Sequence, residues 1–316
     1  MTVRTAANGA VEIAYETFGP PGGRPLLLVM GLGGQMIGWP DAFCELLADR
    51  GFRVARFDNR DAGLSTRFDA ADRPNQLRML LRPASAAVYT LDDMAADAVA
   101  VLDALDWPAA HVAGVSEGGM IAQTLAARHP GRVRTLTSIS SAPAPRVGQP
   151  RPLTLMKIVR VANPKRVKTA EDLARYMVDL QEVTGSPGYP ADEDAVRDLG
   201  RRCYARGGLD VAAVQRQTAA LAASGDRRAE LARLDVPTLV LHGEDDRMIR
   251  PVAGAATAAA IPGARLVTYP GMGHDLPGEL WTAIAGEITA LADRAAHDAP
   301  ADMPGHAGPA SPEIPG

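Results

Sequence analysis

Along the first eighteen residues, MTVRTAANGAVEIAYETF, apolar and polar side chains alternate on either side of Asn8-Gly9. That pattern predicts two strands joined by a tight turn. The wholly apolar run PLLLVM (25–30) predicts a strand buried on both faces. DAFCELLADRG then predicts a helix stopped by Gly51, and FRVARFD a further strand. With Thr90 as N-cap, LDDMAADAVAVLDALDW places Met94, Ala98, Val101 and Leu105 on one helical face. AHVAGV predicts a strand, GGMIAQTLAARHP a helix ended before Pro130, and VRTLTSIS another strand. The alternation resumes at PTLVLHG (237–243), with a helix near 251–260, strand ARLVTYP (264–270) and a last helix aligning Leu280, Ile284, Ile288 and Leu291. Strands alternating with helices predict an α/β protein, its mostly parallel central sheet covered by helices on both faces.

Between about Ala142 and Arg233 the pattern changes, because EDLARYMVDLQEV, DEDAVRDLGRRCYA and DVAAVQRQTAALAA carry helical periodicity with no strand among them. An all-helical insertion between two sheet strands predicts a cap over the carboxyl edge of the sheet. The expected division is a core in two parts, 1–142 and 234–296, around a helical cap at 143–233. Residues 297–316, rich in Pro, Ala and Gly without periodicity, predict a disordered tail.

Composition narrows the classes. With 316 residues, 47% hydrophobic and 22% charged, the chain is an ordinary globular one, long enough for a large domain carrying an insertion. A net charge of -4, and basic residues that are nearly all Arg without a block of one sign, argue against nucleic acid as a partner. No apolar run approaches the roughly eighteen residues that cross a bilayer, and the N-terminus lacks the apolar core of a signal peptide. A cytoplasmic protein without membrane insertion is expected. Cys44 and Cys203 lie far apart in helix-like settings, which suits burial as small apolar groups better than a disulfide framework or metal cluster.

The candidate chemistry lies in AGVSEGGM (113–120). Gly114-Val115-Ser116-Glu117-Gly118 satisfies G-x-S-x-G between a predicted strand and a predicted helix. Such a turn holds Ser116 out in a strained conformation as a nucleophile, while glycines two residues either side let strand and helix approach. A serine nucleophile requires a base, and the base an acid that fixes its tautomer. Of six histidines, His297 and His306 fall at or in the tail. His111 starts a strand, His129 ends a helix, and His242 closes a buried strand. His274, in PGMGHDLP straight after the last strand, is placed to reach the serine from above the sheet edge. For the acid, LHGEDDRMIRP offers Glu244, Asp245 and Asp246. The order serine, acid, histidine is that of α/β-hydrolases.

The segments LLLVMGLGGQMIGWP, FDNRDAGLS, the serine elbow, VLHGEDD and PGMGHDLP together resemble an α/β-hydrolase-fold enzyme, and within that superfamily the aclacinomycin methylesterase group, whose members cleave a methyl ester on an anthracycline. The resemblance covers roughly 10–142 and 234–296, leaving the cap outside it. It implies Asp246 as the acid, with Asp245 second. It implies an oxyanion hole made by the backbone N–H of Glu117 and, most simply, of Leu32. FDNRDAGLS is similar to the superfamily's D-x-R-G-x-G-x-S loop with Asp61 in place of a glycine, and Asp58 and Arg60 are assigned to loop architecture. Glu117 departs from the neutral residue common after the serine. It either meets the positive end of the helix dipole or hydrogen-bonds the loop near His274.

The expected function is a serine hydrolase acting on a small hydrophobic carboxylic ester, with no metal or organic cofactor. Met36, Met120, Met248 and Met272 are either the walls of its substrate pocket or ordinary core. Rival readings are a carbon–carbon hydrolase of ring-cleavage diketones, a cofactor-free perhydrolase or haloperoxidase, and a ligand sensor on the same fold. An Asp nucleophile, as epoxide hydrolases and dehalogenases require, is absent from the elbow.

Overall fold

The computed structural model describes residues 2–69, 83–161 and 167–298. The Asn8-Gly9 turn, with Gly9 at φ 61°, joins β1 (Arg4–Asn8) to β2 (Val11–Phe18) as an antiparallel hairpin. Then come β3 (Arg24–Val29), α1 (Asp41–Asp49), β4 (Phe52–Phe57), α2 (Leu91–Ala104), β5 (Ala110–Val115), α3 (Glu117–Arg128) and β6 (Val133–Ile139). The helical segment holds α4 (Pro152–Val161), α5 (Ala170–Thr184), α6 (Glu193–Ala205) and α7 (Val211–Ala223). β7 (Thr238–Gly243), α8 (Val252–Ala260), β8 (Arg265–Tyr269) and α9 (Trp281–Asp298) complete the core.

The eight strands form one sheet in the order β1-β2-β4-β3-β5-β6-β7-β8, antiparallel at β1–β2 and β2–β4 and parallel from β4 to β8. This is the α/β-hydrolase topology, and the reason is visible in the strands. Leu26 to Val29 are fully buried, as a parallel strand covered on both sides must be. One face packs on α2, α3 and α8 through Met94, Val101, Ile121, Leu125 and Ala253. The other packs on α1 and α9 through Phe43, Leu47, Ile284 and Ile288. Thr90 caps α2 with a reciprocal capping box to Asp93, as its placement predicted.

Two sequence expectations shift. The helix that ends the chain's described part runs to Asp298, so His297, counted with the tail, is helical; residues 299–316 lie outside the described residues. The segment PLTLMKIVRV, to which no element was assigned, is α4. Its apolar side chains do not gather on a buried stripe, which is the signal a periodicity reading depends on.

Candidate active site

Ser116 stands between β5 and α3 with φ 57° and ψ -120°, a region that side chains other than glycine adopt only when neighbours enforce it. The neighbours are close. A Cβ at Gly114 would overlap the carbonyl of Gly118, and one at Gly118 would overlap the carbonyl of Val29. The Ser116 N–H donates to Ile139 O at 2.9 Å, and Ser141 Oγ donates to Ser116 O at 2.7 Å. The elbow is thereby pinned from β6, and Ser116 Oγ is turned towards the carboxyl edge.

His274 Nε2 lies 3.0 Å from Ser116 Oγ, and His274 Nδ1 lies 2.7 Å from Asp246 Oδ2. The other oxygen of Asp246 accepts from the backbone N–H groups of Met248 and Ile249, each at 2.9 Å. Behind it, the buried His242 has Nε2 2.8 Å from Ile249 O and 3.5 Å from Asp246 Oδ2. A carbonyl only accepts, so the His242 proton sits on Nε2 and is donated to Ile249 O, with the neutral ring beside Asp246. Burial opposes the charged form of His274, but the Asp246 carboxylate beside it raises its pKa above the ordinary 6.5 on balance. Of the three acids the sequence left open, Asp246 is the one against the imidazole; the Asp245 carboxylate accepts from the Gly271 N–H at 3.1 Å, and Glu244 from the Thr268 hydroxyl at 2.7 Å.

The β3–α1 loop approaches from the far side. A Cβ on Gly31 would stand 3.1 Å from Ser116 Cβ and 3.7 Å from its Oγ, which sets Leu32 next to the nucleophile. Gly34 N–H donates to Gly31 O at 3.0 Å, closing the turn. Leu32 itself is exposed, so its side chain has no part in holding the loop.

Glu117 is only 1% exposed, and neither carboxylate oxygen has a hydrogen-bond partner. The proposed link to the His274 loop is therefore not made. Burial pushes its pKa up to about 8, so the side chain is protonated at neutral pH. Its place in the first turn of α3 is the one the helix-dipole reading expected.

The four methionines fall in different packing environments. Met36 is buried against Leu173 and Cys203, Met120 against the α2–α3 face, and Met272 against the α1–α9 face, while Met248 is half-buried beside Asp246.

Contacts that the sequence did not disclose tie the helical segment to this site. The His274 N–H donates to Thr184 O at 2.8 Å, and the Gly273 N–H to Ser186 Oγ at 2.8 Å. Asp275 accepts from Gln181 Nε2 at 2.6 Å and from the Ser186 hydroxyl. Gln217 Oε1 accepts from the Gly33 N–H at 2.8 Å, while its Nε2 donates to Arg60 O at 2.9 Å. Asp58 accepts from Met36 N–H at 2.7 Å and from Arg206 at 2.6 Å, and Arg60 pairs with Asp97 at 2.6 Å. Asp61, at φ 68° where the related loop has glycine, binds Arg216 through two bonds of 2.8 and 2.7 Å and accepts from the Tyr89 hydroxyl at 2.6 Å. Burial opposes ionisation of Asp61, yet Arg216, the Phe68 N–H and Tyr89 hold its pKa below the usual carboxylate range.

Residues 24–280 match the family described as serine aminopeptidase, S33. The chain belongs to that family of hydrolases. Rhodomycin D methylesterase DauP of Streptomyces sp. (strain C5) is 32% identical over 314 residues, 92% of this chain and 98% of the relative. Rhodomycin D methylesterase DnrP of Streptomyces peucetius is 33% identical over 315 residues with the same coverage. Among solved structures, the enol-lactonase from Burkholderia xenovorans LB400 superposes with a TM-score of 0.68 at 25% identity, covering 91% of this chain and 99% of that one. The α/β-hydrolase fold and the methylesterase resemblance expected from the motifs thus stand. The matched span runs through the helical segment as well as the strands on either side of it. No helix among the described residues is long and apolar enough to cross a membrane.

Proposed function

We propose that the protein is a serine esterase that hydrolyses a hydrophobic carboxylic ester, a methyl ester foremost, through Ser116, His274 and Asp246, beneath a cap formed by residues 143–233. The observation that carries this reading is the unbroken chain from Ser116 Oγ through His274 to Asp246, at 3.0 and 2.7 Å. Both separations are within the reach that proton transfer requires. The likeness to two rhodomycin D methylesterases over nearly the whole chain supports an ester, and a methyl ester in particular.

In this mechanism His274 Nε2 takes the hydroxyl proton as Ser116 Oγ attacks the ester carbonyl. Asp246 accepts from Nδ1, which fixes the tautomer and stabilises the imidazolium. The N–H groups of Leu32 and Glu117 receive the oxyanion. His274 then returns the proton to the departing alcohol, activates water, and the acyl group leaves Ser116. Two free cysteines, both buried, suit a reducing compartment such as the cytoplasm.

The test is steady-state and stopped-flow hydrolysis of p-nitrophenyl and aryl methyl esters by wild type and Ser116→Ala. The variant is expected to lose at least about a thousandfold in kcat; equal rates would sink the mechanism, and turnover of a ring-cleavage diketone with none of any ester would replace it by carbon–carbon hydrolysis. The same assay reads His274. Its base form is the neutral one, so activity rises with pH as the imidazolium deprotonates. Because its pKa is raised, the acid limb of kcat/KM is expected above pH 6.5, and Asp246→Asn moves that limb down while lowering the plateau.

A further inference from the structure

Helix α4 is sparsely covered. Leu153, Met156 and Val159 are 73%, 67% and 65% exposed, Leu155 is also exposed, and Ile158 is its one buried residue. Four of the eleven large hydrophobic side chains exposed on the described chain belong to these ten residues, so they form a patch rather than scattered surface groups. At 100° per residue, Ile158 with Thr154 and Val161 marks the inner stripe, and Leu153, Met156 and Arg160 look away from the protein, flanked by Val159 and Lys157.

The charge of this helix is as uneven as its exposure. All three lysines of the sequence fall at 157, 165 and 168, and no Asp or Glu occurs from residue 118 to residue 170, in a chain whose net charge is -4. Arg151, Lys157 and Arg160 are exposed, and none is paired with a carboxylate among the described residues. An outward face that combines aliphatic side chains with unpaired cations, and excludes anions, matches one kind of partner. Its apolar groups favour the boundary of a bilayer, and its Lys and Arg side chains reach up from that depth to lipid phosphates.

We propose that α4 is a docking surface for the anionic face of a phospholipid bilayer, on which the protein lies without spanning it. The surface stands on exposure and charge alone, independently of the esterase reading. A helix of ten residues buries little area, so the association is weak and reversible.

The experiment is co-sedimentation of the full chain, as wild type and as Ser116→Ala, with vesicles of phosphatidylglycerol mixed into phosphatidylcholine and with vesicles of phosphatidylcholine alone. Both proteins are expected on the mixed vesicles, with partitioning weakened by salt and at least roughly tenfold lower on pure phosphatidylcholine. Met156→Glu with Val159→Glu, and separately Lys157→Glu with Arg160→Glu, are each expected to lower partitioning at least about tenfold while leaving p-nitrophenyl ester hydrolysis and the melting curve unchanged. Absence of wild type from mixed vesicles overturns the proposal, as does binding that neither double variant weakens. A wild-type dimer that dissociates on Met156→Glu with Val159→Glu overturns it in favour of a second copy of the chain. Because binding is read without turnover, failure of the esterase reading leaves this outcome unaffected.

Discussion

Helix α7 meets the loops beside the sheet through buried charge, while α4, in the same helical segment, packs on α5 and has a single buried residue, Ile158. At the α7 side, Arg216 closes on Asp61 with both partners almost fully buried, Gln217 bridges Gly33 to Arg60, and the end of α6 adds Arg206 on Asp58. At the α4 side, Arg151, Lys157 and Arg160 are left to solvent. The difference follows what lies beneath. Gln217 and Arg206 hold the loop that carries Leu32, whose N–H receives the oxyanion in the proposed mechanism, and groups receiving a developing charge must be fixed before the reaction. Charged pairs suit that task because their hydrogen bonds have direction, although desolvating them offsets much of their attraction.

The largest effect is expected from breaking the tight side. Arg216→Met leaves Asp61 buried without a cation and should cost about 3–5 kcal/mol of stability, read from the urea midpoint at unchanged slope. Adding Asp61→Gly should recover much of it, since glycine takes φ 68° without strain. A double variant no better than the single would remove the clamp account. Gln217→Leu is expected next, at about 1–3 kcal/mol for the orphaned Gly33 N–H. Here kcat should fall more than KM rises, by less than the roughly hundredfold that follows loss of a whole oxyanion donor. Stability lost with kcat intact would confine Gln217 to folding. The smallest effect belongs to the open side: Met156→Ser should stay within about 0.5 kcal/mol of wild type in urea. A larger loss would mean that α4 already has an apolar partner in solution.

The same contrast separates what was legible in the sequence from what was not. The sheet could be read because each buried strand is a local apolar run, as in Leu26 to Val29. The elbow could be read because glycine spacing around Ser116 states a steric need within five residues. His274 was reached by its place after the last strand, and Asp246 only through family likeness, since three acids stood together. Asp61 was visible as a departure from glycine, but its partner Arg216 lies 155 positions away and no local pattern joins them. Gln217 had no signal at all, for an amide on an amphipathic helix looks like any surface residue. Nothing in the sequence tells which packing environment Met36, Met120, Met248 or Met272 joins.

At Glu117 the fold and the solvent exchange a proton. The carboxyl holds its proton up to about pH 8 when buried, against 4.5 for an ordinary glutamate. At neutral pH the unfolded chain is ionised there and the native chain is not, so folding withdraws one hydrogen ion from the medium and unfolding gives it back. Below the lower value both forms are protonated and the exchange stops. Between the two, each step towards alkali weakens the native state by roughly 1.4 kcal/mol per pH unit, and above the upper value the full penalty remains. One residue beside the nucleophile thus makes the chain's hold on its own shape answer to the acidity of its surroundings.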